Sequence, residues 1–175
     1  MPSRQPTPAT TPGLAPARLP VTELDAPTTQ VLRRFRLVFN AVKTHFQQVE
    51  KSTGVGGAQL WALSVIEARP GMGTNELARA MDVHQSTASN LVKTLADRGY
   101  VKVAKSSADR RAVQLSLMPA GQALLSKAPG PFAGVLPQAL AALDAQTLAR
   151  LDADLATLIS KLGVDERAAN IPLGQ

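Results

Sequence analysis

A short stretch in the middle of the chain carries small polar side chains at the spacing of one helical face. They are Ser86, Ser89, Asn90 and Lys93, with Gln85 and Thr87 beside them. Hydroxyl and amide groups of this size form hydrogen bonds with base edges in a major groove and with phosphates. A helix that faces solvent more often carries long Glu and Lys side chains. The pattern therefore predicts a DNA-reading surface, and a plain solvated face is the alternative.

That polar face needs a helix that is anchored on its opposite side. Ala88, Leu91, Val92 and Leu95 recur at helical spacing within the same stretch, and Gly99 follows as a usual helix end. The stretch therefore predicts an amphipathic helix that buries one face and presents the other.

A second short helix should precede the polar one. We expect it to begin at Thr74, whose hydroxyl would accept hydrogen bonds from the amides of the first turn. A bend at residues 82–83 then separates the two helices, which gives a helix-turn-helix. Thr74 and His84, which stand at the two helix starts, are predicted to contact phosphates or bases.

An alternating hairpin follows the two helices. Residues 100–105 and 112–117 have the pattern of half-buried strands. An acidic side chain among arginines at the tip can orient one guanidinium for a narrow minor groove. The alternative is a solvated turn with a weak surface ion pair. The predicted DNA contacts of this hairpin are Lys105, Asp109, Arg110 and Arg111.

Composition and charge agree with a DNA partner. The 175-residue chain has a formal net charge of +6, and the excess of basic residues lies in residues 1–51 and 74–115. Basic residues placed in this way favour binding to a polyanion. Aromatic residues make up 3% of the chain, so Leu, Val and Ala must form its core, which suits helices.

The remaining sequence divides into segments around this lobe. We expect a mainly α fold with a small β-wing (α+β), that is, a winged helix-turn-helix with a helical dimerisation region. Residues 1–27 hold seven of the 13 prolines and predict a disordered arm. The other predicted segments are 28–57 and 119–165 for the helical dimerisation region, 58–118 for the winged helix-turn-helix, and 166–175 for a tail.

At the level of motifs, residues 75–121 resemble the MarR (multiple antibiotic resistance regulator) family of transcription factors. The resemblance lies in NELARAMDVHQSTASNLVKTLADRGYV and DRRAVQLSLMPAG. Two positions depart from the family pattern. His84 stands where Ser, Asp or Thr usually caps the helix, which puts that cap in doubt. Met118-Pro119 replaces the usual Thr cap of the next helix, which then relies on Pro at its first position.

The resemblance implies a homodimer that binds a pseudo-palindromic operator on double-stranded DNA. Leu148, Leu151, Leu155, Leu158 and Leu162 form a seam suited to packing against another helix. Without the resemblance, the same seam would more simply indicate a helix face that packs in the core of its own chain. In a homodimer, the two recognition helices would read half-sites roughly 10 bp apart.

The resemblance also implies a repressor that a small aromatic, phenolic or carboxylate effector releases from DNA. Because they combine aromatic surface with polar groups on the first two helices, five residues are candidate effector contacts. They are Phe39, His45, Trp61, Ser64 and Arg69. The simpler interpretation places Phe39 and Trp61 in the core and Arg69 at a solvated helix end.

Other classes of function find little support in the sequence. There is no Cys, and the two histidines lie in different segments, so we expect no metal site and no cofactor. Neither a nucleophile elbow nor a phosphate-binding loop appears, so an enzyme is not expected. No segment predicts a membrane span or a secretion signal, and we expect a cytoplasmic protein. The alternatives kept open are a protein-interaction winged helix and a non-specific architectural DNA binder.

Overall fold

The computed structural model describes residues 25–105 and 113–164 of the chain. Its elements are mostly helical, with one two-stranded antiparallel sheet, which confirms the predicted fold class. In chain order they are α1 (Ala26–Thr53), α2 (Gly57–Ala68), α3 (Thr74–Ala80), α4 (Gln85–Asp97), β1 (Val101–Lys105), β2 (Val113–Leu117), α5 (Pro119–Lys127), α6 (Val135–Ala141) and α7 (Ala145–Leu162).

Helix α1 begins two residues earlier than the sequence pattern predicted. Asp25 caps it, because its side chain accepts a hydrogen bond of 2.9 Å from the Thr28 amide, and Pro27 fits the first turn. Hydrogen bonds from Thr28 hold the pKa of the Asp25 carboxyl below its usual value. The helix ends at Gly54, whose φ of 70° is left-handed. Residues 26 and 27 are thus helical, whereas residues 1–24 of the predicted arm lie outside the described residues.

The core lies between α2, the two helices α3 and α4, and the base of the hairpin. Its largest fully buried side chains come from each of these elements, so the helix-turn-helix and the hairpin share one apolar centre. They include Leu60, Leu63, Ile66, Leu77, Met81, Leu95 and Leu115, each at most 1% exposed.

The hairpin is joined to the helices through its backbone. Strands β1 and β2 pair from Val101 opposite Leu117 to Lys105 opposite Val113. On its other edge, Leu115 exchanges backbone hydrogen bonds with the loop between α2 and α3: Gly71 N donates to its carbonyl and its own amide donates to Met72 O. These bonds fix the hairpin next to α3.

The C-terminal helices differ in part from the pattern. Helix α6 spans Val135–Ala141 and begins after Gly134, whose positive φ of 102° keeps the chain before it out of the helix. Helix α7 begins after Asp144, which accepts from the Thr147 amide. None of its residues is buried. Within the two described ranges, no helix combines the length and apolarity needed to cross a membrane.

Candidate nucleic-acid interface

Helix α4 has two chemically different faces. Ala88, Leu91, Val92 and Leu95 are at most 6% exposed and pack into the core. On the opposite side the polar side chains of the predicted reading surface reach solvent, apart from Thr87, which is half-buried. The exposed ones are Gln85, Ser86, Ser89, Asn90 and Lys93. The apolar anchor therefore holds a rigid helix whose hydrogen-bonding face is free of the core.

His84 occupies the capping position of α4. Its Nδ1 accepts a hydrogen bond of 3.3 Å from the Ser86 amide and lies 2.8 Å from the Ser86 hydroxyl. The imidazole thus takes over the role that a hydroxyl or carboxylate usually has at this position. The cap that the sequence put in doubt is present, while the Nε2 edge of this exposed ring has no partner among the described residues.

Helix α3 is capped differently from the prediction. Thr74 is its first residue and is half-buried, whereas Gly73 is the cap and its amide donates to Glu76 Oε2 at 2.7 Å. The prediction that the Thr74 hydroxyl caps the helix is wrong, because the Glu76 carboxylate reaches back to the preceding amide. Any contact of Thr74 with DNA stays a prediction.

A groove of about 460 Å³ separates α3 from the start of α4. Asn75 and Arg79 of α3 line it together with His84 and Gln85. The sequence analysis missed Asn75 and Arg79, which lie on the exposed side of a short and otherwise ordinary helix. The packing of α3 against α4 brings them beside the predicted reading surface, and sequence spacing gave no signal of it.

The described part of the hairpin presents two cations. Lys105 is exposed at the last pair of the ladder, opposite Val113, and Lys102 is exposed three residues earlier on the same strand. Lys102 was not among the predicted contacts. Asp109, Arg110 and Arg111 lie outside the described residues.

The five candidate effector contacts have unlike surroundings. Phe39 is 65% exposed and stacks on Phe35 with ring centroids 6.1 Å apart, so its placement in the core is wrong for the single chain. His45 is buried, and its Nε2 donates to Pro131 O at 3.1 Å. Trp61 packs against the core, and the Ser64 hydroxyl donates to its carbonyl at 2.8 Å. Arg69 is exposed at the end of α2.

The architecture and the two-faced helix α4 define a winged helix-turn-helix protein. Residues 53–112 match the model of the MarR family. This match confirms the resemblance seen in the sequence to a family of transcription regulators. No curated protein matches the chain.

Solved structures share the fold. A MepR-like protein complexed with pseudoligands is 20% identical, with a TM-score of 0.53 over 79% of this chain and 94% of that one. The Staphylococcus aureus MepR–DNA complex is 21% identical, with a TM-score of 0.53 over 77% and 98%. YusO from Bacillus subtilis is 19% identical, with a TM-score of 0.50 over 79% and 99%. At these identities the likeness establishes the fold alone.

Proposed function

We propose that this protein is a homodimeric transcription regulator that binds a specific DNA sequence through α4. The observation that carries the proposal is the exposed polar face of α4, which is built on a fully packed apolar face. Helices of this kind enter the major groove, where amide and hydroxyl groups distinguish base pairs. The S. aureus relative of the same fold was solved as a DNA complex, which agrees with this proposal.

The test is selection of bound duplexes from random DNA, followed by affinity measurements on the recovered site. We expect a pseudo-palindrome, because a two-fold dimer presents two copies of α4. If the protein binds DNA but the selection enriches no consensus, the protein is a non-specific architectural binder. No binding at low salt would favour a protein-docking winged helix and would contradict the proposal.

Asn90 is the residue with which to test base reading. An Asn side chain can pair bidentately with adenine, and such a pair contributes about 1–3 kcal/mol of discrimination. We expect Asn90→Ala to relax the consensus at one position of each half-site. Gln122→Ala, an exposed substitution on α5, is the control and should leave the consensus unchanged. A full consensus in the Asn90 variant would remove Asn90 from the reading set.

The homodimer is proposed from the apolar surface of the terminal helices. Leu37 and Phe39 of α1 are 70% and 65% exposed, and Leu162 of α7 is 62% exposed. Large apolar side chains exposed in such numbers on long helices mark an interface. Light scattering should therefore give twice the chain mass of 18.4 kDa at micromolar concentration. A particle of single-chain mass would contradict the dimer.

We further propose repression relieved by a small aromatic acid. Such an effector must bind the dimer that cannot engage DNA more tightly than the dimer that can, because equal affinity shifts no population. The contacts predicted from the sequence are Phe39, His45, Trp61, Ser64 and Arg69. Thermal-shift measurements with aromatic carboxylates test this proposal, and stabilisation by none of them would count against the effector.

A further inference from the structure

A second cleft lies on the side of α3 that faces the end of α2. Arg69, Glu76, Arg79 and Ala80 line it, and its volume is about 330 Å³. Both arginines are exposed, and neither has an ion-pair partner among the described residues. The cleft therefore offers two guanidinium groups to a ligand.

Glu76 does not neutralise this cleft. Its Oε2 accepts the 2.7 Å hydrogen bond from the Gly73 amide that caps α3. The carboxylate contributes one negative charge to the lining against the two positive charges of Arg69 and Arg79. The excess positive charge favours an anionic ligand.

Arg79 connects this cleft to the predicted reading surface. It lines the cleft with Arg69 and also the groove with His84 and Gln85 at the start of α4. Arg79 therefore lies between the residues at the start of α4 and Arg69 at the end of α2.

We propose that Arg69 and Arg79 bind the phosphate backbone of the operator just beyond the bases contacted by α4. The proposal rests on the proposed function and extends its footprint onto the end of α2. A guanidinium matches phosphate geometry with two parallel hydrogen bonds. Arg69 is then a nucleic-acid contact, in place of the effector contact that the sequence suggested.

The openness of the site favours a polymer over a small anion. Both guanidinium groups are exposed to water, where a single ion pair contributes little. Duplex DNA differs from a free anion because each neutralised phosphate releases condensed counterions, so exposed arginines contribute strongly at low salt. A backbone phosphate is therefore the ligand that this cleft suits.

The experiment measures operator affinity against salt concentration for the full chain, Arg69→Ala, Arg79→Ala and the double variant. Each phosphate contact contributes about 0.9 to the slope of log K against log salt. In a dimer, each substitution removes two contacts, so we expect a slope lower by about 1.8 per substitution. The selected consensus should stay unchanged, because phosphate contacts carry no sequence information.

Arg150→Ala provides the matched control, because it removes an exposed arginine from α7, far along the chain from the cleft. If the unaltered protein binds DNA normally but the Arg69 and Arg79 variants have the same slope as Arg150→Ala, this inference alone is overturned. Failure of the unaltered protein to bind DNA would overturn the proposed function. Inorganic phosphate could instead stabilise the unaltered protein but not the double variant, while the salt slope of DNA binding stays the same in both. That result would assign the cleft to a free anion and would also overturn the inference.

Discussion

The imidazole of His84 presents two chemically different edges at the start of α4. Nδ1 closes the helix by accepting from the Ser86 amide, and it also contacts the Ser86 hydroxyl. Since Nδ1 accepts, the proton of the neutral ring lies on Nε2, which makes the outer edge a hydrogen-bond donor. A donor at the N-terminus of a DNA-reading helix is suited to a phosphate oxygen.

The capping role predicts the effect of substitutions at this position. Replacing a capping residue by Ala costs about 0.5–2 kcal/mol, so His84→Ala should lower the free energy of unfolding by about that amount. His84→Ser should keep stability, because its hydroxyl can cap, but weaken DNA binding through loss of the Nε2 donor. Chemical denaturation and operator affinity measure the two effects separately, with Gln122→Ala, an exposed substitution on α5, as the control. Equal stability of the Ala and Ser variants would contradict the cap.

At the scale of elements, helix α5 starts in close contact with the base of the hairpin. A Cβ on Gly121 would collide with the Tyr100 carbonyl, which already accepts from the Met118 amide at 2.9 Å. The carbonyl is part of the backbone and cannot turn aside as a side chain would. Gly121 therefore sets how closely α5 approaches the hairpin.

Gly121→Ala should destabilise the protein although Ala is the better helix former. Helix propensity alone favours Ala by about 1 kcal/mol. Overpacking typically costs about 1–3 kcal/mol, and a clash with backbone lies at the upper end, so we expect a net loss. Gln122→Ala, at the exposed neighbouring position, should leave stability almost unchanged. A gain of stability in Gly121→Ala would show that α5 can move away from the hairpin.

A hydrogen bond between the end of α4 and the end of α1 gives a second prediction at the scale of elements. Arg98, which follows α4, donates from Nη1 to the carbonyl of Gly54, the residue that ends α1, at 3.1 Å. This bond connects the helix proposed for dimerisation to the helix proposed for reading. Arg98→Ala should lower unfolding free energy by about 0.5–1.5 kcal/mol and weaken operator binding.

The salt dependence separates this coupling from a DNA contact. If Arg98 acts on the position of α4, its variant should lose affinity with an unchanged slope of log K against log salt. Arg150→Ala is again the control. A reduced slope would assign Arg98 to a phosphate and refute the coupling.

The sequence predicted some features of the fold better than others. Helix α4 was predicted well, because Ala88, Leu91 and Leu95 all face one packed core and so impose the helical period on the sequence. The capping residue of α3 was predicted wrongly, since Thr and Gly are about equally common as caps. Only the hydrogen bond from the Gly73 amide to the Glu76 carboxylate decides between them. The position of Arg79 beside the start of α4 was not predicted, because it depends on how α3 packs against α4.

At the scale of the whole molecule, the single chain leaves the apolar face of α7 open to solvent. Helix α7 buries none of its residues, and Leu148, Leu158 and Ile159 are each about two-fifths exposed. An 18-residue helix with such a face is marginal alone, because helices gain most of their stability from tertiary packing. A second chain that covers this face would stabilise the helix and fix the distance between the two copies of α4.

Leu158→Glu should therefore separate the chains and weaken DNA binding together. A charge in a closely packed apolar seam costs several kcal/mol, so light scattering should show a shift toward the single-chain mass. Linkage of two half-site contacts raises avidity by about 10²- to 10⁴-fold, and this factor should disappear with the dimer. Ser160→Glu adds the same charge at a polar position of α7 and should keep both mass and affinity. A Leu158 variant that is monomeric and still binds the full operator with unchanged affinity would contradict this prediction. It would show that one copy of α4 is sufficient for binding and that a second copy adds no avidity.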